Sequence, residues 1–418
     1  MSAMDCDILV IGAGAAGIAA ARAAIAFGHR VRVLEARGRL GGRALTDHSL
    51  GVPFDLGATW LHAAERNPLV PLARELGVAL TDADAARREI TFIGTRRITA
   101  EEDAAYDAAE AAFGAAIEAR AAIGPDIAAA EAAPRGGPWD ATVSAWQGDV
   151  IAAWPLSEIS LHDFAATLLE GSNLLPKGGL GALLARLAEG LPVTTGAPVA
   201  TLRWGGREAI AEGPFGTLRA RAVVCTLPTS LLAAGAIRFD PPLPASTIQA
   251  AHDLPLGHAI KVGLRAAGED RLGLPDNAST DRQVAPGELL VPISFWPRGK
   301  PIAQGWIGGA SVPGIEREGP AAAEALVRAE IAARLGSDAP RAFRPGALVS
   351  AWGADPLSLG VYTHARIGAA GARAVLAAPL AGGRLAFAGE ACHPALAGTV
   401  GGAWLSGEAA ARAALASA

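Results

Sequence analysis

Ile8-Leu9-Val10-Ile11-Gly12-Ala13-Gly14-Ala15-Ala16-Gly17 is the stretch on which the reading of this chain turns. Its four apolar residues have the look of a strand buried in a parallel sheet, and a Gly-x-Gly-x-x-Gly turn follows at once. An alanine-rich run then continues to Phe27 and stops at Gly28, a residue suited to the position after a helix. A second β-rich run, Val31-Arg32-Val33-Leu34, ends on Glu35. Strand, glycine turn, helix, strand and acid, in that order, form the layout of a dinucleotide-binding βαβ unit. Gly12 permits the tight turn, Gly14 lets the backbone approach a pyrophosphate, and Gly17 lets the helix pack against the strand. The helix N-terminus around Ala16 supplies the favourable dipole. Glu35 is placed to accept hydrogen bonds from an adenosine ribose, which argues against NADP and leaves NAD and FAD open.

The rest of the composition narrows the class of protein. A chain of 418 residues, 51% of them hydrophobic, has room for two or three domains. Only 18% of residues are charged and the net charge is -5, so no basic surface for nucleic acid or anionic lipid is expected. Cys6, Cys225 and Cys392 are too few and too scattered for a disulfide framework or a Cys-x-x-Cys metal or redox motif. No metal site and a reduced, cytoplasmic setting are the expectations. Mean hydropathy is +0.29, but much of it comes from alanine, and acids interrupt the Ala100–Ala133 region. No window supplies the ~18–20 uninterrupted apolar residues of a membrane span. The N-terminus lacks the basic region of a signal peptide, and neither a G-x-S-x-G elbow nor an H-E-x-x-H motif occurs. Among the 36 basic residues only Lys177, Lys261 and Lys300 are lysines.

The segment after the βαβ unit separates FAD from NAD. Glu35-Ala36-Arg37-Gly38-Arg39-Leu40-Gly41-Gly42-Arg43, followed by Asp55-Leu56-Gly57-Ala58-Thr59-Trp60-Leu61-His62, resembles the flavin-dependent amine oxidases, the family of monoamine oxidases, polyamine oxidases and lysine-specific histone demethylases. Physically, Gly41, Gly42 and Arg43 can close over a pyrophosphate from its other side, and Gly57-Ala58 can bring N–H groups against a flat ring. The resemblance continues in order through Lys177-Gly178-Gly179, Val223–Pro228, Ile237–Pro244, His258–Val262, Trp352–Pro356 with Gly360-Val361-Tyr362, Phe387–Glu390 and Gly398–Gly407. It implies an α/β fold: a Rossmann-type FAD-binding domain, of the kind shared with glutathione reductase, and a second, α+β substrate-binding domain. FAD-binding pieces are expected at 1–80, 177–250 and 375–418. The substrate domain is expected at 81–176, largely helical, and at 251–374, with strand-like runs at Ile260–Leu264 and Leu289–Trp296.

The resemblance also implies roles. Ala36, Arg37, Thr59, Trp352, Gly389, Glu390, Val400 and Ala403 join the cofactor residues, with Trp60 packing on the flavin and the Val199 backbone touching adenine. Lys261 matches the lysine that holds a water beside flavin N5, a task suited to a compact ammonium of shiftable pKa. Tyr362 matches one wall of an aromatic cage able to attract a cationic amine, and Thr399 falls at the opposite wall. His62 matches a histidine near the substrate amine. Glu170 is either a carboxylate for a distal ammonium or a solvated acid. Val361, where monoamine oxidases carry the flavin-linking cysteine, implies non-covalent FAD. Gly401, in place of a histidine, implies open space near the ring. The implied reaction is oxidation of an amine C–N bond by hydride transfer, with O2 reduced to H2O2, and a polyamine such as spermidine or spermine is the favoured substrate. The alternatives are a monoamine, another secondary amine or an amino acid, a desaturase-like member of the superfamily, and a flavin-binding regulatory protein. An amino-acid oxidase would need an arginine to grip the carboxylate, and the sequence does not say which. Oligomeric state is not legible.

Overall fold

The computed structural model describes residues 4–415, so the first three residues of the N-terminal stretch lie outside it. Strand β1 (Cys6–Ile11), helix α1 (Ala15–Ala26) and strand β2 (Val31–Leu34) realise the opening pattern. β1 pairs in parallel with β2 and with Gly216–Cys225. It is thus central, with Ile8, Leu9 and Val10 fully buried, which is why its sequence is apolar without alternation. Among the described residues this sheet has eight strands. Their order is Arg238–Asp240, Thr201–Arg203, Ala209–Gly213, Gly216–Cys225, β1, β2 and Val193–Thr194, with Leu385–Phe387 also pairing with Gly216–Cys225. Helix α1 and the C-terminal helix Val400–Leu415 pack together against this sheet through Ala16, Ala20, Ala24, Ala410 and Ala414. Their backbones approach so closely that a Cβ at Gly407 would collide with the Ala16 carbonyl.

A second sheet of seven strands runs Leu348–Val349, Ala259–Arg265, Ile302–Gly308, Ile293–Phe295, Ala278–Arg282, Arg88–Ile93 and Arg96–Arg97. Helix Pro320–Leu335 covers one face, setting Ala323, Val327 and Ile331 against Ile260, Val262 and Leu264. Two expectations need correction. Residues 88–93 do not belong to a helical segment: Ile90-Thr91-Phe92-Ile93 is β-branched and aromatic, Gly94 turns the chain at a φ of 61°, and the strand pairs in parallel with Ala278–Arg282. The run at Leu289–Trp296 is a strand only over Ile293–Phe295, beginning after Pro292, which has no N–H to give a ladder.

The helical insertion is led by Ala100–Ala121, which buries Tyr106, Phe113 and Ile117. Its start is fixed by a capping box: the Thr99 hydroxyl accepts the Glu102 N–H, and the Glu102 carboxylate accepts the Thr99 N–H. Thr99→Ala should therefore cost about 1 kcal/mol of stability, read as a lower urea midpoint with an unchanged slope. Farther along, Trp146–Ala152 forms a π-helical turn. No helix among the described residues is long and apolar enough to cross a membrane.

Candidate active site

One cavity of about 940 Å³ runs from the carboxyl end of β1 to the second sheet, at the upper end of the roughly 300–1,000 Å³ usual for ligand sites. At the first end lie Gly12, Gly14, Glu35 and Val199. Gly14 caps α1 without a side-chain acceptor, so the first N–H groups of that helix are left for a ligand. Glu35 accepts the Ala13 N–H at 2.7 Å and the Arg37 N–H at 2.8 Å, which locks its carboxylate at the strand end. Val199 is buried, yet its main chain makes no backbone hydrogen bond within the described residues. It therefore has a donor and an acceptor free for a heterocycle edge. These are the features a dinucleotide needs, and they fit it.

The middle of the cavity is held by ion pairs that reach across the sequence. Arg37 pairs with Asp355 at 2.7 Å and donates to Ser358 at 2.9 Å, docking the Trp352–Pro356 segment on the glycine loop. Trp352 donates its indole N–H to the Leu56 carbonyl. Arg43 donates to the Val361 carbonyl at 2.7 Å and to Glu390 at 3.0 Å. Glu390 also accepts the Thr363 hydroxyl and the Gly398 N–H. Arg373 in turn donates to Thr363 and pairs with Asp163 at 2.6 Å, both charges being almost fully buried. One network thus joins the glycine loop, the strap carrying Tyr362, the C-terminal motif and the helical insertion. Gly57 must be glycine here, because a Cβ would run into the Arg43 carbonyl.

At the second end stands Lys261, on the strand Ala259–Arg265 and 4% exposed. Its Nζ donates to the carbonyls of Asp55 at 3.1 Å and Gly57 at 2.5 Å and to the Thr59 hydroxyl, and it lies 5.7 Å from the centre of the Trp306 ring. Burial pushes Lys261 down to about 8, against the opposing pull of Asp55. As an ammonium it spends three donors on that loop; as an amine it has a lone pair to accept from water. The Tyr362 hydroxyl donates to the Ile151 carbonyl at 2.7 Å, and the Trp306 indole donates to the Val150 carbonyl at 3.0 Å. Both acceptors belong to the π-helical turn. Thr399 lines the cavity, but its hydroxyl donates to Leu396 and accepts the Gly402 N–H, capping the last helix. The His62 Nδ1–H donates to Asn173 Oδ1 at 2.7 Å. Asn173 donates its amide to Asp84, which fixes the amide orientation. Burial lowers the pKa of His62 and so favours the neutral ring.

The family model for flavin containing amine oxidoreductase matches residues 15–133 and 138–415. The chain belongs to that family. Polyamine oxidase 4 of Oryza sativa subsp. japonica is 30% identical to this amine oxidoreductase across an alignment that covers 97% of this chain and 88% of the relative. Lysine-specific histone demethylase 1 homolog 2 of Arabidopsis thaliana is 28% identical over 96% of this chain, and the chain spans only 57% of that relative's length. Among solved structures, putrescine oxidase bound to putrescine superposes with a TM-score of 0.80 at 20% identity, covering 97% of this chain and 98% of that one. Cyclohexylamine oxidase from Brevibacterium oxydans IH-35A gives 0.79 at 21%, covering 98% of each. At these identities the likeness establishes the fold.

Within this amine oxidoreductase the remaining sequence expectations fall as follows. Ala36, Arg37, Gly41, Gly42, Ala58, Trp60, Gly389, Val400 and Ala403 all line the cavity, and Trp60 also stacks on His62 with ring centres 6.1 Å apart. Gly401 does not leave open space: a Cβ there would stand 2.9 Å from Asn67 Nδ2, because buried Asn67 fills the position. Glu170 is exposed, away from the cavity lining. Sequence reasoning missed Asn173 and Asp84, which orient His62, and it counted Lys300 among the few lysines without giving it a role in the cavity that it lines. Neither Asn173 nor Asp84 belongs to a motif, so only the fold shows that they meet His62.

Proposed function

We propose that this chain is an amine oxidase with non-covalently bound FAD. The observation that carries the reading is one cavity with dinucleotide-binding features at one end and the Lys261–Thr59 loop at the other. The polyamine and putrescine oxidases among its likenesses support an aliphatic amine as substrate. The placement of all strands of the first sheet within 1–80, 177–250 and 375–418, and of the second within 81–176 and 251–374, supports two interleaved domains, one for each ligand.

When bound, FAD would supply the redox chemistry, the two-electron oxidation of an amine to an imine at the expense of O2, with H2O2 as the by-product and the imine open to hydrolysis. The chain's part is to position and desolvate. The free N–H groups of α1 would hold the pyrophosphate, Val199 the adenine, and the start of helix Val400–Leu415 the flavin ring. Tyr362 and Trp306 wall the substrate, and neutral His62 can accept a proton from the amine as it binds. Lys261 holds the Asp55–Thr59 loop and, as the amine, a water. Among the described residues no cysteine lines the cavity, which supports release of the flavin by acid precipitation.

The test is anaerobic mixing of the yellow protein with monoamines, polyamines and amino acids. Bleaching of the flavin and peroxide on admitting air are expected with at least one class. No bleaching with any of them rejects the oxidase reading.

A further inference from the structure

The charges lining the cavity do not cancel evenly. Every acid in the lining already has hydrogen-bond or ion-pair partners, although Glu35 and Asp55 have only neutral donors. Glu35 accepts two backbone N–H groups, and Asp55 accepts the Leu180 N–H and the Thr46 hydroxyl. Asp163 pairs with Arg373, Glu390 with Arg43, and Asp84 with Arg87 and Asn173. Among the cations, Arg37, Arg43 and Arg87 have carboxylate partners. Among the described residues Lys261, Arg298 and Lys300 have none within ion-pair distance, and Asp55 is the acid whose charge reaches all three from farther away.

Arg298 and Lys300 come from one turn that joins two interior strands of the second sheet, Ile293–Phe295 and Ile302–Gly308. The Arg298 guanidinium makes a single long hydrogen bond, to the Pro176 carbonyl at 3.4 Å. Its Nε is buried with no partner. Lys300 gives one donor to the Pro53 carbonyl at 2.6 Å. Burial, together with the neighbouring Arg298 charge, pushes Lys300 down to about 8 against the opposing pull of Asp55. The backbone is bent to present them: Trp296, Arg298 and Asn277 all have φ near the left-handed region, at 49°, 58° and 59°. The Asn277 side chain accepts the Arg298 N–H at 2.6 Å. Such conformations cost energy and persist where the surrounding structure enforces them, often at ligand sites. A desolvated guanidinium without an acceptor is costly, and a planar carboxylate is the group that answers its fork of donors.

We infer that the substrate of this site is an amine that also carries a carboxylate, with Arg298 and Lys300 holding the carboxylate while the amine faces the flavin. The inference rests on the oxidase reading above and narrows its substrate class. A polyamine fits this end of the lining worse, because its second ammonium would meet two cations that have no carboxylate within ion-pair distance.

A matched pair of probes tests this: putrescine and γ-aminobutyrate, which share a four-carbon chain and one amine and differ in the sign of the far end. β-Alanine, δ-aminovalerate and leucine vary the spacing, and butylamine lacks the second group. With the holoprotein, at least one amino acid is expected to reduce the flavin with kcat/KM about tenfold or more above putrescine. Arg298→Gln should lower that value about 100-fold, mainly through KM. Arg298→Lys should recover part of it, and Arg298→Glu should turn the preference toward putrescine. Lys300→Gln is the companion variant, and flavin absorbance per protein reports whether each variant is folded. Calorimetric binding of butyrate, lost in Arg298→Gln, reads the carboxylate site without turnover. Reduction by putrescine or butylamine with no preference for any amino acid, or an unchanged KM in Arg298→Gln, overturns this inference alone. No reduction by any amine overturns the oxidase reading and this one with it.

Discussion

Lys261→Met is expected to slow flavin reduction, reoxidation or both by about 100-fold while flavin content stays near that of the parent protein. The methionine keeps most of the side chain's length and apolar contacts but removes three donors from the Asp55, Gly57 and Thr59 oxygens. It also removes the only lysine that reaches this loop. Stopped-flow traces of the two half-reactions check the result, and unchanged rate constants in both would take Lys261 out of the chemistry. A second readout follows from titration. Burial holds Lys261 near 8, below its ordinary 10.5, so its ammonium form is penalised in the folded protein. The penalty is complete below about 8 and is relieved between about 8 and 10.5, where the folded protein has released a proton that the unfolded chain retains. Methionine titrates nothing. The stability of the parent protein relative to the variant should therefore rise across that window, as read from urea midpoints on either side of it.

Glu390→Ala should have the largest effect on stability, about 3–5 kcal/mol, with loss of flavin on gel filtration. The carboxylate is 6% exposed and joins Arg43, Thr363 and Gly398. Its removal takes from Arg43 its carboxylate partner, leaving it the Val361 carbonyl, and takes from the Thr363 hydroxyl the acceptor that ties it to this network. Glu390→Gln keeps the shape and part of the hydrogen bonding, so it should fall between. Full flavin retention with a change under about 1 kcal/mol in Glu390→Ala would show that the network does not hold the cofactor cradle. Burial alone would raise the Glu390 pKa, but Arg43 and the Thr363 hydroxyl hold it below the ordinary carboxylate value. The stabilisation is thus present above that ordinary value and is lost only as pH falls below it.

The contrast between these two residues and the carboxylate clamp shows what a sequence can reveal. The βαβ opening was legible because its signals are local: four apolar residues, three glycines and an acid at fixed spacing. Lys261 was legible because its segment resembles a family motif in a chain with few lysines. The strand Arg88–Ile93 was missed because the Ala, Glu and Leu content of 81–176 made the whole segment read as helical, although Ile90–Ile93 carried a β signal. Gly401 was misjudged because its neighbour Asn67 comes from the other end of the chain. Arg298 could not be singled out among so many arginines, since what distinguishes it is the lack of a carboxylate partner, a property of the fold and not of the residue.

The π-helical turn Trp146–Ala152 carries a consequence for how this pocket can change. Its Val150 and Ile151 carbonyls anchor Trp306 and Tyr362, and such a turn depends on its count of residues. Deleting one residue would restore α-helical winding, in which each position advances by about 100° around the axis, and would swing both anchors away from their rings. Pocket shape here is governed by segment length, so a single-codon insertion or deletion could recast substrate preference while leaving Tyr362, Trp306 and Lys261 untouched in the sequence.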